Sequence, residues 1–201
     1  MATTSPHRTR LPAAVREQRI LDVAAELFYR RGVHDVGMDE LVKATGLGKA
    51  SVYRVFASKD ALITAYLARR AEIIFGLIDA DIAHHEGDPR GAIVAIIEAV
   101  EADVASPNFR GCAFNNASIE FGDHANSART VAREYREDLR DRLINLATTI
   151  CGGAEGKRLG EKIALIIEGM YLSAAHLGSL GPARRGRALV MRLLSEVDHA
   201  R

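Results

Sequence analysis

The sequence has no apolar run near the roughly 18 residues that a membrane-spanning helix needs. Its opening, MATTSPHRTRLPAA, lacks the apolar core of a secretory signal. Cysteine is scarce: Cys112 and Cys151 are the only two. That usage, in a chain without a leader, indicates a reducing compartment rather than a disulfide scaffold. The expected location is therefore the cytoplasm, with no membrane contact. Signatures of catalysis are missing as well. There is no G-x-S-x-G, no H-E-x-x-H and no paired C-x-x-C. No series of strands appears, so dinucleotide and phosphate-loop sites have no scaffold. Gly46-Leu-Gly-Lys-Ala-Ser loosely imitates the end of a phosphate loop, but Lys43 stands where the earlier glycine belongs and no strand leads into it. His84, His85 and Glu86 invite a metal reading. Adjacent histidines project in different directions on a helix, however, and no partner cluster has ligand spacing, so a solvated loop is expected. An enzyme would have only Glu120, His176 and Cys112 as generic support. No enzyme activity, cofactor or metal is expected.

What is present is helical pattern and uneven charge. The chain has 201 residues, 48% of them hydrophobic, with a formal net charge of +1. That length can bury a real core. Residues 1–60 hold ten Lys or Arg against seven Asp or Glu, whereas the remainder is slightly acidic. The first part is therefore the one suited to a polyanion.

The stretch GMDELVKATGLGKASVYRVFASKDALITAYL, residues 37–67, organises this first part. A short helix from Met38 buries Met38, Leu41 and Val42. Gly46 supplies a left-handed position for a sharp turn. Gly48 serves as N-cap of a second helix over 49–56. On a 3.6-residue period its Leu47, Val52, Val55 and Phe56 lie inward, and Lys49, Ala50, Tyr53 and Arg54 lie outward. Two cations, a phenol and an alanine on one small face suit a DNA major groove, and the whole is a helix-turn-helix. Ser58 caps a long helix with Asp60 in its first turn. Before it all, residues 13–31 form an amphipathic helix through Val15, Ile20, Val23, Ala24, Leu27 and Phe28, closed by Gly32. Residues 1–12 carry His7, Arg8 and Arg10 and read either as a basic arm reaching DNA or as a passive tail.

GLGKASVYRVFASKDAL resembles the recognition-helix signature of the tetracycline-repressor (TetR) family, roughly G-hydrophobic-S-K-G-T-hydrophobic-Y-x-x-F-x-S-K-x-x-L. Gly46, Leu47, Lys49, Val52, Tyr53, Phe56, Ser58, Lys59 and Leu62 match, and Ser51 stands for Thr. The resemblance is strong over the first third and mostly architectural beyond. It implies an all-α protein: a three-helix DNA-binding domain over 13–57 and a helical effector-binding and dimerisation domain over 58–201. It also implies double-stranded operator DNA as partner, read by Lys49, Ala50, Ser51, Tyr53, Arg54 and Lys59, with most contacts to phosphate. Two positions depart from the family. Val36 and Gly37 replace a hydroxyl pair that caps the next helix and touches phosphate, and Val55 replaces a residue that is often aromatic or His.

The second part continues in helices. Leu62, Ile63, Tyr66, Leu67, Ile73, Ile74, Leu77 and Ile78 carry an apolar face to about Ala83. At about 1.5 Å per residue, a helix of about 25 residues is near 37 Å long. Helices over 91–105, 124–151, 159–180 and 183–197 follow. RGCAFNNASIEF, residues 110–121, resembles a G-C-x-x-x-N-x-x-x-E segment that lines the effector cavity in a subset of the same family. Candidate wall residues for an unidentified small-molecule effector are Phe75, Cys112, Phe114, Asn116, Glu120, Tyr135, Met170, Tyr171 and His176. The other reading makes Cys112 and Phe114 core, Asn116 a local cap and Glu120 an ion-pair partner. Cys112, after Arg110 and near a helix N-terminus, is either a stabilised thiolate or an inert buried thiol. The helix over 159–180 is apolar on nearly all sides and must be covered on both. Packing of the last two helices against a second copy accomplishes this, with Gly169, Ser173, Ala174 and Ala175 allowing close approach. Burial within one chain is the alternative. The expected function is a DNA-binding repressor released by an effector. The competing expectation is a ligand- or protein-binding helical dimer that has lost specific DNA binding.

Overall fold

The computed structural model describes residues 11–123, 125–178 and 181–199. Within them lie nine α-helices and one 3-10 turn, with no strand. They divide into two compact units, one ending at Tyr66 and one beginning at Leu67. The arm bearing His7, Arg8 and Arg10 lies outside the described residues.

The first unit contains α1 (Ala13–Arg31), α2 (Met38–Thr45), α3 (Lys49–Val55) and the start of α4 (Lys59–His84). Helix α1 packs on both α2 and α3. Ile20, Leu21, Ala24 and Phe28 of α1 are buried with Leu41, Val52 and Phe56. Val15 was expected in the same stripe but is 48% exposed, because it stands on the first turn of α1, ahead of the buried stretch. Leu62, Ile63 and Tyr66 are buried as well, and the Tyr66 ring lies 5.8 Å from that of Phe28. These residues explain why the compact unit extends to Tyr66.

The turn between α2 and α3 forms as its residues dictate. Gly46 sits at φ +65°, a region that β-carbon sterics close to most residues. Beside it, the fully buried Thr45 donates its hydroxyl to the Val42 carbonyl at 2.8 Å and accepts from the Leu47 amide at 3.2 Å. Ser58 Oγ accepts from the Ala61 amide at 3.1 Å, the expected cap of α4. Val36, one of the two departures, is fully buried, so the residue standing where a hydroxyl was expected belongs to the core.

The second unit adds α5 (Pro89–Val104), α6 (Ala113–Glu120), α7 (Ser127–Cys151), α8 (Gly153–Leu177), the 3-10 turn Pro182–Arg185 and α9 (Gly186–His199). Helix α5 packs against α7, α8 and α9, and its Ile93, Ile96, Ile97, Val100 and Val104 are all buried. Asp88 caps α5 by accepting from the Gly91 amide, so the helix begins at Pro89 rather than at residue 91. Asn126 caps α7, which starts three residues later than expected; His124, the expected start, lies outside the described residues. Helix α8 begins six residues earlier than expected and ends at Leu177; Ser179 and Leu180 are not described. Helices α7 and α8 form an antiparallel hairpin turned at Gly152, at φ +82°. They approach closely where α8 carries glycine. A β-carbon on Gly156 would stand 2.3 Å from Thr148 Cα, and one on Gly160 2.5 Å from Ile144 Cα. No described helix is long and apolar enough to cross a membrane, and no described group of His, Cys, Asp and Glu is arranged to hold a metal ion. Both cysteines are free.

Candidate nucleic-acid interface and effector body

Helix α3 presents the residues that its periodicity assigned outward. Lys49, Ala50, Tyr53 and Arg54 are exposed, Ser51 is half-buried, and Val52 is fully buried beneath them. Lys49 Nζ lies 2.7 Å from Asp39 Oδ1 of α2 and 5.9 Å from the centroid of the Tyr53 ring. The hydrogen bond that Lys49 donates to Asp39 raises the Lys49 pKa, with the carboxylate charge adding to the effect. Glu40, next in α2, pairs with Arg31, whose other nitrogen donates to the Asp35 carbonyl at 3.0 Å. Lys59 is engaged differently: half-buried, it donates to the His34 carbonyl at 3.2 Å and braces the loop between α1 and α2.

The candidate effector residues separate into groups. Phe75 of α4, Tyr135 of α7 and Phe114 of α6 form one stack. Tyr135 lies 3.7 Å from Phe114 at 9° and 5.1 Å from Phe75 at 29°. The Arg142 guanidinium caps the stack 4.1 Å from the Phe75 ring, and Asp79 holds it through two hydrogen bonds of 2.9 and 3.2 Å. Burial raises the Tyr135 pKa far above its ordinary value, with Cys112 adding to the rise. Cys112 is buried, with its sulfur 3.9 Å from Arg136. Arg136 also donates to Asn115 and pairs with Glu168 at 2.6 Å.

Asn116 lies near this group but turns back, donating to the Arg110 carbonyl at 3.0 Å. Glu120, half-buried, ends the same helix. Tyr171 stands with α5, where its hydroxyl donates to Asp103 at 3.0 Å and its ring lies 5.9 Å from that of Phe109. Burial raises its pKa, and the Asp103 charge adds to that. Met170 is buried where α8 meets Gly186 at the start of α9. His176 is exposed. Phe75, Phe114, Tyr135 and Cys112 are thus brought together, and Tyr171 lies near enough to Tyr135 and Cys112 to interact with them electrostatically, whereas Met170 is buried against the start of α9 and His176 is exposed.

A feature that the sequence reading did not single out is an open groove of about 720 Å³ between α6, α7 and α8. Arg129, Arg133, Arg136 and Arg140 run along it, faced by Glu161 and Glu168. The four arginines recur at steps of four, three and four, which is the signal in the sequence that put them on one helical face. None of the nine candidate wall residues lines this groove.

Large apolar side chains also stand exposed on the last two helices, beginning with Leu165 at the edge of the same groove. Leu165 is 70% exposed, Leu172 53% and Leu177 64%, all on α8, and Leu189 of α9 is 51% exposed. Gly169 lies between the first two with no atom within 4 Å of the place its β-carbon would take.

The sequence profile of the bacterial regulatory proteins of the tetR family matches residues 20–66, the helix-turn-helix and the helices that cover it. An HTH-type transcriptional regulator of Mycobacterium tuberculosis is 46% identical over 65 residues, which are 32% of this chain. The chain covers only 30% of that relative's length. The similarity to the HTH-type transcriptional repressor ComR of Escherichia coli is weaker but longer, 26% identity over 184 residues and 88% of each chain. Among solved structures, a TetR-family transcriptional regulator from Streptomyces coelicolor superposes with a TM-score of 0.78 at 26% identity, over 93% of this chain and 96% of that one. A protein described as a TetR transcriptional regulator from Streptomyces avermitilis gives 0.74 at 30% identity, over 91% and 98%. With helix-turn-helix, helical body and full-length similarity in agreement, the chain belongs to the TetR family of bacterial regulatory proteins.

Proposed function

We propose that this chain is a homodimeric, sequence-specific DNA-binding transcriptional regulator, a repressor that a small-molecule effector releases from a palindromic operator. The observation that carries the reading is the outer face of α3, where Lys49, Tyr53 and Arg54 stand exposed around the short Ala50. Lys49 and Arg54 supply phosphate and base contacts, Ala50 and Ser51 permit close approach to base edges, and Tyr53 donates to phosphate. Lys59 adds a phosphate contact after leaving the His34 carbonyl. Residues 13–57 are the reading module and 58–201 the effector and dimer module. A DNA partner implies the bacterial cytoplasm as the working compartment.

The second copy is proposed to cover Leu165, Leu172, Leu177 and Leu189, in an interface of the last two helices of each chain. A face of this kind is more apolar than a solvated helix needs to be. The effector is assigned to the body around Phe75, Cys112, Phe114, Asn116, Glu120 and Tyr135. To release DNA it must bind the state with unsuited head spacing more tightly than the DNA-competent state. Tyr171, which interacts electrostatically with Tyr135 and Cys112, borders the same region, and Met170 and His176 are proposed with it on α8.

The test is operator affinity in the full-length dimer. Lys49→Ala and Arg54→Ala are each expected to weaken binding about tenfold or more, the scale of a charged contact, and to leave the dimer intact. Each lost phosphate contact also lowers the slope of log affinity against log salt by about 0.9. Wild-type affinity in both variants would show that α3 does not enter the groove.

A further inference from the structure

Asp39 places a negative charge on the surface proposed to face phosphate. A carboxylate there opposes DNA binding unless its oxygen meets a donor on the nucleic acid. In the major groove the base-edge donors are the amino groups of cytosine N4 and adenine N6. Asp39 Oδ1 lies 2.7 Å from Lys49 Nζ, so the two present an acceptor and a donor side by side. Lys49 is the first residue of α3, and the N-terminal residues of a recognition helix are those that meet base edges. Both side chains are open to solvent, at 63% for Lys49 and 81% for Asp39. The neighbouring Ala50 is short and exposed, leaving the approach clear.

The base edges supply a matching pattern. A G·C pair presents two adjacent acceptors, guanine N7 and O6, and then the cytosine N4 donor. O6 and N4 are themselves joined by a Watson–Crick hydrogen bond, so they stand about 2.7–3.2 Å apart. That is the spacing of the Lys49 and Asp39 polar atoms. An A·T pair presents an acceptor, a donor and another acceptor, so a carboxylate on its N6 would lie between N7 and O4 and be repelled by both.

We propose that Lys49 and Asp39 act as one reader of a single G·C pair in each operator half-site, Lys49 donating to guanine N7 and O6 and Asp39 accepting from cytosine N4. The inference rests on the DNA-reading function proposed above and adds to it the base that is read and an acidic residue that reads it. The Tyr53 ring, 5.9 Å from the ammonium, helps hold Lys49 in place.

The experiment is a selection from randomised duplex DNA with full-length wild type, Asp39→Ala and Lys49→Ala, followed by titration of single-position variants of the recovered site. The wild type is expected to give a palindrome with a G·C column in each half. Asp39→Ala should keep the palindrome but flatten that one column, with G·C over A·T discrimination there falling about tenfold. Lys49→Ala should flatten the same column and weaken binding to every site. A motif unchanged in all columns by Asp39→Ala would overturn the inference while leaving DNA reading intact. So would a uniform gain in affinity for all sequences, which would make Asp39 only a brake on phosphate binding. If wild type recovers no motif, the inference and the DNA-reading function fall together.

Discussion

Gly160→Ala and Gly76→Ala make the same chemical change in two helices and are expected to move stability in opposite directions. Alanine gains roughly 1 kcal/mol of helix propensity over glycine in either place. At Gly76, in the exposed middle of α4, no atom lies within 4 Å of the new β-carbon, so that gain stands alone. At Gly160 the β-carbon would lie 2.5 Å from Ile144 Cα and 2.7 Å from Ile144 N. Carbon–carbon contact needs about 3.5–4.0 Å, so α7 and α8 must part by about 1 Å, and the obstacle is backbone that no rotamer change relieves. Overpacking of this kind costs about 1–3 kcal/mol and sometimes more, which after a propensity gain of about 1 kcal/mol leaves a net loss of up to about 2 kcal/mol. For a chain of this length each kcal/mol shifts the melting temperature by about 2–4 °C. Circular-dichroism melts at one fixed protein concentration, needed because a dimer melts with concentration dependence, should therefore show Gly76→Ala raised by about 2–4 °C. Gly160→Ala should be lowered, by up to about 8 °C. If both variants melt higher than wild type, close contact at Gly160 does not set the α7–α8 spacing.

Other perturbations test other parts of the structure. Leu165→Asp with Leu172→Asp should shift sedimentation from dimer to monomer, because each leucine contributes about 1.5–3 kcal/mol when covered; a dimer that persists would place the interface elsewhere. Asp79 accepts from Arg142, which lowers its folded pKa below the ordinary aspartate value. The stability this provides is complete above the unfolded pKa and is lost as pH falls through the folded one. Melts of Asp79→Asn from about pH 5 downward should therefore have a shallower acid limb than wild type, and equal limbs would mean the pair contributes nothing. Tyr171→Phe removes the hydrogen bond to Asp103 and leaves a part-buried carboxylate short of a donor. A loss of about 1 kcal/mol is expected, read as a melt lowered by about 2–4 °C; an unchanged melt would argue that water replaces the hydroxyl.

The reading module was legible because its signals are local. The glycine turn at Gly46, the Ser58 cap and the inward set Val52 and Phe56 each follow from residues within a few positions, and all stand as expected. The start of α8 was not legible. Gly153, Gly156 and Gly160 weaken the helical signal, and the reason for the last two lies across the hairpin at Thr148 and Ile144. The ring stack joins residues 75, 114 and 135 from three helices, so the sequence indicated these residues as apolar or aromatic but not their mutual contact. From sequence Asp39 is legible only as a favourable charge in the first turn of α2, and its pairing with Lys49 needs the packing of two helices. Met170, Tyr171 and His176 share one helix, and a few residues' difference in position puts Met170 in the core and His176 in solvent.

The measurement that bears most directly on the central claim is a genome-fragment binding selection with purified full-length protein at physiological salt, read by sequencing against a Lys49→Ala, Arg54→Ala control. The account predicts recovery of a palindromic site by wild type and its loss in the control. Equal recovery by both proteins, or no enriched site from wild type, would contradict it and leave a helical dimer that binds ligand or protein without reading DNA.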